Sequence, residues 1–214
     1  MTNDPEPRRK RGLLATLAAM KPLDEAFPEI EDLPAEPVDP WPEAASVERS
    51  ADWPFLREGA VTLFWRKELF ESARRQLLAA QYDLFVVSCL EMQEFRGRMS
   101  EALRWTEQFG YEPWTGNLDA LNDGFRTVPF GPSRKFGLCL EDFDALVRSD
   151  ARLAQGVLDI IEYNARDHLL SGCRLLALVQ TNDPDYDAQN LGARHANWNR
   201  DEWLISARTI GPST

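Results

Sequence analysis

Arg174-Leu-Leu-Ala-Leu-Val-Gln180 is apolar at every position between its two polar ends. A run without alternation suits a strand buried on both faces, as in parallel sheets. Just upstream, residues 151–170 carry Leu153, Val157, Ile160, Ile161, Ala165 and Leu169 at helical spacing, and Gly172 closes that pattern. A helix feeding a doubly buried strand is half of an α/β unit. Tyr82-Asp-Leu-Phe-Val-Val-Ser-Cys89 is a second near-continuous apolar run and reads the same way. Residues 60–65 and 135–140 read as further strands.

Helical stripes fill the intervals. Residues 67–80 place Leu69, Phe70, Ala73, Leu77 and Leu78 on one face, and a second helix runs through Phe95, Met99, Leu103 and Trp105. A short helix spans 118–125 after the turn at 113–116, and another spans 141–147. Residues 198–203 read as a last short helix with Asn199 as its N-cap. Strands alternating with helices predict an α/β layered domain, with a mainly parallel three- to four-stranded sheet and helices packed on it. This domain is expected over residues 53–214.

Residues 1–52 differ. The first fifty residues hold 8 of the 14 prolines and carry 11 acidic against 6 basic side chains. Pro alternates with Glu or Asp over residues 34–43, so little apolar surface is available to offset chain entropy. The expectation is a disordered or loosely packed arm. Arg8-Arg-Lys-Arg-Gly-Leu-Leu-Ala-Thr-Leu-Ala-Ala-Met20 superficially resembles a signal peptide, but its apolar part is short and Lys21-Pro-Leu-Asp is no convincing cleavage site. It reads as a short amphipathic or disordered piece of the arm.

Across 214 residues there are 35 acidic and 24 basic side chains, a net charge of −11. Such a surface repels nucleic acid and anionic lipid and favours basic proteins as partners, although solubility alone also explains it. Cys89, Cys139 and Cys173 form no C-x-x-C pair, so metal-site spacing is absent. A scattered, odd set fits reduced, buried thiols and a cytoplasmic location. No apolar run reaches membrane-spanning length.

Catalytic motifs are missing: no G-x-S-x-G elbow, no Walker spacing around Gly131-Pro-Ser-Arg-Lys135, and no G-x-G-x-x-G. His168 stands beside Asp167, but a single helical His is usually a surface residue; a hydrolase using Asp and His is the remotest reading. No catalytic residue, metal or cofactor is expected. What stands out is Tyr111-Glu-Pro-Trp-Thr-Gly-Asn-Leu-Asp-Ala-Leu-Asn-Asp-Gly-Phe125. Asn117 suits an N-cap, and Asp119 in the first turn suits the helix dipole. Asp123, four residues on, shares the face of Asp119 but gains nothing from the dipole. The pair reads either as capping and solvation or as a surface for a cationic partner.

At these residues the chain resembles the barstar family, intracellular inhibitors of barnase-type ribonucleases. The likeness centres on Trp114-Thr-Gly-Asn-Leu-Asp-Ala-Leu-Asn-Asp123. The order of strands and helices over residues 82–180, and the closing Gly-Cys-strand at 172–180, are similar as well. The resemblance implies an immunity or antitoxin-type protein that performs no catalysis. Its acidic helix and preceding loop would cover the active site of a basic ribonuclease. It implies Asp119 and Asp123 as the anionic contacts, with Trp114, Gly116 and Asn117 lining the same patch and Asp167 contributing from the long helix. Pro113, Asn122 and Tyr163 depart from the family pattern, which has Tyr, Trp and an acidic residue there. These departures keep open a second reading: a non-inhibitory interaction or regulatory domain on the same fold, binding another basic protein.

Overall fold

A computed structural model describes residues 50–111, 113–188, 190–192 and 194–209. The proposed arm lies outside the described residues except at its last three positions. The elements are, in order, α1 (Trp53–Leu56), β1 (Val61–Phe64), α2 (Lys67–Ala79), β2 (Asp83–Ser88), α3 (Met92–Ala102), α4 (Trp105–Phe109), α5 (Leu118–Arg126), β3 (Lys135–Glu141), α6 (Phe143–Ser149), α7 (Ala151–Leu170), β4 (Arg174–Gln180), β5 (Asn197–Trp198) and α8 (Ile205–Thr209). The strands form one five-stranded sheet in the order β2-β3-β4-β1-β5. Every pairing is parallel.

The topology places the helices. From β1 the chain crosses to the far edge at β2, then returns through β3 to β4. Right-handed crossovers running in opposite directions put their helices on opposite faces. Accordingly α2 packs on β1, β2 and β4, while α7 lies against β4 and β1 and carries α5 and α6 on its flank. With both faces covered, Leu175, Leu176, Ala177, Leu178 and Val179 of β4 are all buried, as its unbroken apolar run requires. The layered α/β fold expected from the alternation is the fold observed, with one strand more than expected.

β2 is the exception to the double-burial rule. Among the described residues it is an edge strand paired only to β3, and Val86 is 40% exposed. An apolar run does not say which edge of the sheet a strand occupies. The helix expected to continue through Trp105 breaks instead at Arg104, whose backbone is left-handed at φ 48°. On one continuous helix Leu103 and Trp105 would point about 200° apart; the break lets both bury completely. β3 runs on to Glu141, opposite Ser88, so the following helix starts at Phe143 rather than 141. Leu169, expected on the inner stripe of α7, is 52% exposed in the last turn of that helix.

Both ends of the described domain also correct the sequence reading. Asp52, which composition assigned to the arm, is fully buried. It accepts hydrogen bonds from Tyr82 Oη at 2.8 Å and Arg174 Nη1 at 2.6 Å. Residues 198–203 are not a helix. Asn197 and Trp198 pair with Thr62 and Leu63 as the edge strand β5, and Asn199 Oδ1 accepts from Asp201 N in a turn. The buried carboxylate of Glu202 then accepts from Trp65 N at 3.1 Å and Arg66 N at 2.8 Å, satisfying donors at the start of α2. Arg208 stacks over the Trp198 ring at 4.1 Å and donates to Pro184 O. These long-range bonds outweigh the local helix signal. No helix among the described residues is long and apolar enough to cross a membrane.

Candidate functional site

α5 begins where its sequence dictates. Gly116, at φ +109°, takes a backbone conformation that side-chain-bearing residues rarely adopt. Asn117 follows in extended geometry, and its side-chain oxygen accepts from Asp119 N at 2.8 Å and Ala120 N at 3.2 Å. That satisfies two of the first-turn donors and makes Asn117 the N-cap. Leu121, Gly124 and Phe125 turn inward. Asp119, Asp123 and Arg126 are left on the outer face, all exposed.

The inner face is locked to the rest of the domain. Asn164 Nδ2 on α7 donates to Asn122 Oδ1 at 2.8 Å, and His168 Nε2 lies 2.7 Å from Phe125 O. A Cβ on Gly156 would meet Leu118 Cδ1 at 2.5 Å, so the two helices pack closely at this glycine. Asn122 therefore serves helix pairing, and His168 closes the end of α5 against Phe130, whose ring centroid is 4.9 Å away. Asp167, one residue before His168, is exposed beside this seam.

The loop before α5 hangs on Trp114. This side chain is 3% exposed, so it lies beneath the patch rather than lining its surface. Its indole N–H donates to Asn117 O at 2.6 Å, its main-chain N–H donates to Ser100 Oγ at 3.1 Å, and its ring meets Phe95 edge-on at 6.0 Å. A hollow of about 100 Å³ opens beside it, lined by Trp105, Tyr111, Pro113 and Asn117 among others. Tyr111 is 53% exposed and stands edge-on to Trp105.

Of the six residues singled out in the sequence, Asn117, Asp119 and Asp123 share one exposed surface, Gly116 shapes it, and Trp114 supports it from below. Asp167 is exposed on α7. The charge is not uniform: Asp123 Oδ1 lies 3.6 Å from Arg126 Nη1, and both are about 60% exposed, so solvent screens the pair. One further member, Arg96 on α3, packs over Gly116. Nothing in the local sequence announces it, because its proximity arises from the packing of α3 under the loop.

All three cysteines are free thiols and buried. Burial pushes Cys139 up to about 12, despite the opposing charge of Arg74, and raises Cys89 as well. Neither thiol is a nucleophile at neutral pH. Among the described residues, no group of three or more His, Cys, Asp or Glu side chains is placed to hold a metal ion. Compared with models of protein families, with curated proteins and with solved structures, the chain matches none.

Proposed function

We propose that this protein is a barstar-like inhibitor of a basic ribonuclease, binding through α5 and the loop before it. The observation that carries the reading is the placement of Asp119 and Asp123. Both project from the outer face of a helix whose cap, loop and inner face are fixed by Asn117, Trp114 and α7. A rigid pair of carboxylates can accept charge-assisted hydrogen bonds from Arg, Lys or His groups with little ordering cost. Such groups line the phosphate sites of ribonucleases. The net charge of −11 would speed encounter with a basic enzyme.

The second reading, an interaction domain for a different basic protein, is supported by Pro113, Asn122 and Tyr163, which depart from the family pattern at and near the patch. The two readings separate on one experiment. A barnase-type ribonuclease is titrated with the protein while RNA cleavage is followed. Inhibition that weakens at least tenfold in Asp123→Ala, and less in Asp119→Ala, fits the first reading; a lost charge-assisted bond is worth roughly 1.5–3 kcal/mol. Inhibition unchanged in Asp123→Ala removes the patch from the argument. Absence of any inhibition favours the second reading.

A further inference from the structure

The candidate surface contains a cation with no ion-pair partner among the described residues. Arg96 is half-buried, with its guanidinium lying on the loop: a Cβ at Gly116 would sit 2.8 Å from Nη2 and 3.1 Å from both Cζ and Nε. The positive φ is what calls for glycine at 116, and the absent side chain leaves room for this guanidinium. Neighbouring arginines have carboxylate partners: Arg98 with Glu101 at 3.0 Å, Arg104 with Glu107 at 3.9 Å, Arg126 with Asp123 at 3.6 Å. Among the described residues none pairs with Arg96, and its Nε is buried without a hydrogen-bond partner. A half-buried guanidinium already held by packing, with no carboxylate of its own among the described residues, can take one from a partner at little ordering cost.

We propose that Arg96 receives an acidic side chain of the bound protein, so that the surface is bipolar. This rests on the inhibitor reading given above. Asp119, Asp123 and Asp167 face the cationic groups of the ribonuclease, while Arg96, beside Gly116, takes an Asp or Glu at the rim of that site. The planar fork of a guanidinium matches a carboxylate in two parallel hydrogen bonds, which fixes orientation as well as charge. An RNA phosphate is the wrong occupant, because the neighbouring aspartates repel it. Arg96 thereby acts as a specificity determinant: ribonucleases with a basic residue at the matching position are rejected by like charge.

The test uses the full-length chain and a barnase-type ribonuclease. Arg96→Gln should raise the dissociation constant at least tenfold and Arg96→Glu further, with the urea midpoint of Arg96→Gln close to that of the wild type. Acidic residues around the ribonuclease active site are then changed singly to Lys. One exchange should restore binding to Arg96→Glu and weaken binding to the wild type. Unchanged affinity in Arg96→Gln overturns the inference while leaving the inhibitor reading intact. Weakened affinity with no rescuing exchange also overturns it, since Arg96 would then act only by holding the loop. If the wild-type protein binds no such ribonuclease, the inhibitor reading fails and this inference falls with it.

Discussion

Changing Asn117 to Ala isolates the structural part of the candidate surface from its charges. The substitution deletes the oxygen that accepts from Asp119 N at 2.8 Å and Ala120 N at 3.2 Å. Asn117 is exposed, so water takes over part of the lost bonding. The expected loss is therefore about 1 kcal/mol, in the middle of the range for N-cap deletions rather than the sum of two buried bonds. For a domain of about 160 residues that lowers Tm by roughly 2–4 °C. Asn117→Asp keeps an acceptor and adds charge at the positive end of the helix. That gain is offset by repulsion from Asp119, so stability should stay within about 0.5 kcal/mol of the wild type. Urea unfolding followed by tryptophan fluorescence measures both variants, because Trp114 donates to the main-chain oxygen of the cap residue itself. An unaltered midpoint for Asn117→Ala, or equal losses for Ala and Asp, would refute the capping argument.

Glu202→Ala strips the acceptor from two main-chain donors at the start of α2 in a fully buried setting, so a loss of about 3 kcal/mol is expected in urea unfolding; a loss below about 1 kcal/mol would show that water fills the gap. Burial alone would raise the Asp52 carboxyl, but hydrogen bonds from Ser50, Arg174 and Tyr82 hold it below its usual 3.8. The unfolded chain then takes up this proton more readily, so the stability Asp52 contributes at neutral pH is lost as pH falls through its folded value. Asp52→Asn should flatten the acid limb of the stability profile, and an unchanged limb would contradict this. Cys89 and Cys139 should resist a thiol reagent at pH 8 in the folded protein and react once it is unfolded in urea, since burial raises both thiols; rapid labelling of the native protein would count against it.

Much of the fold was legible in the chain because local signals and tertiary packing agree. The apolar run at 175–179, the stripe of α7 and the cap at Asn117 each specify an element by themselves, and each element lies where its pattern puts it. The exposed carboxylates of Asp119 and Asp123 follow from helix periodicity alone once Leu121 and Phe125 are known to turn inward. Trp114 lies beneath the surface it is expected to line, because its spacing cannot reveal the acceptor offered by Asn117 O or the ring of Phe95.

Only the tertiary structure decided which strands are central, where β5 adds to the sheet, that Asp52 and Glu202 are buried, and that Arg96 reaches Gly116. Each depends on groups far apart in the chain: Asp52 meets Arg174, Glu202 meets Arg66, and Asn197 pairs with Thr62. A sequence pattern reports which face of an element avoids water. It carries no information about which distant donor or acceptor will meet a polar side chain there. That meeting is set by the order of the strands, because strand order determines which chain ends are brought together over the sheet.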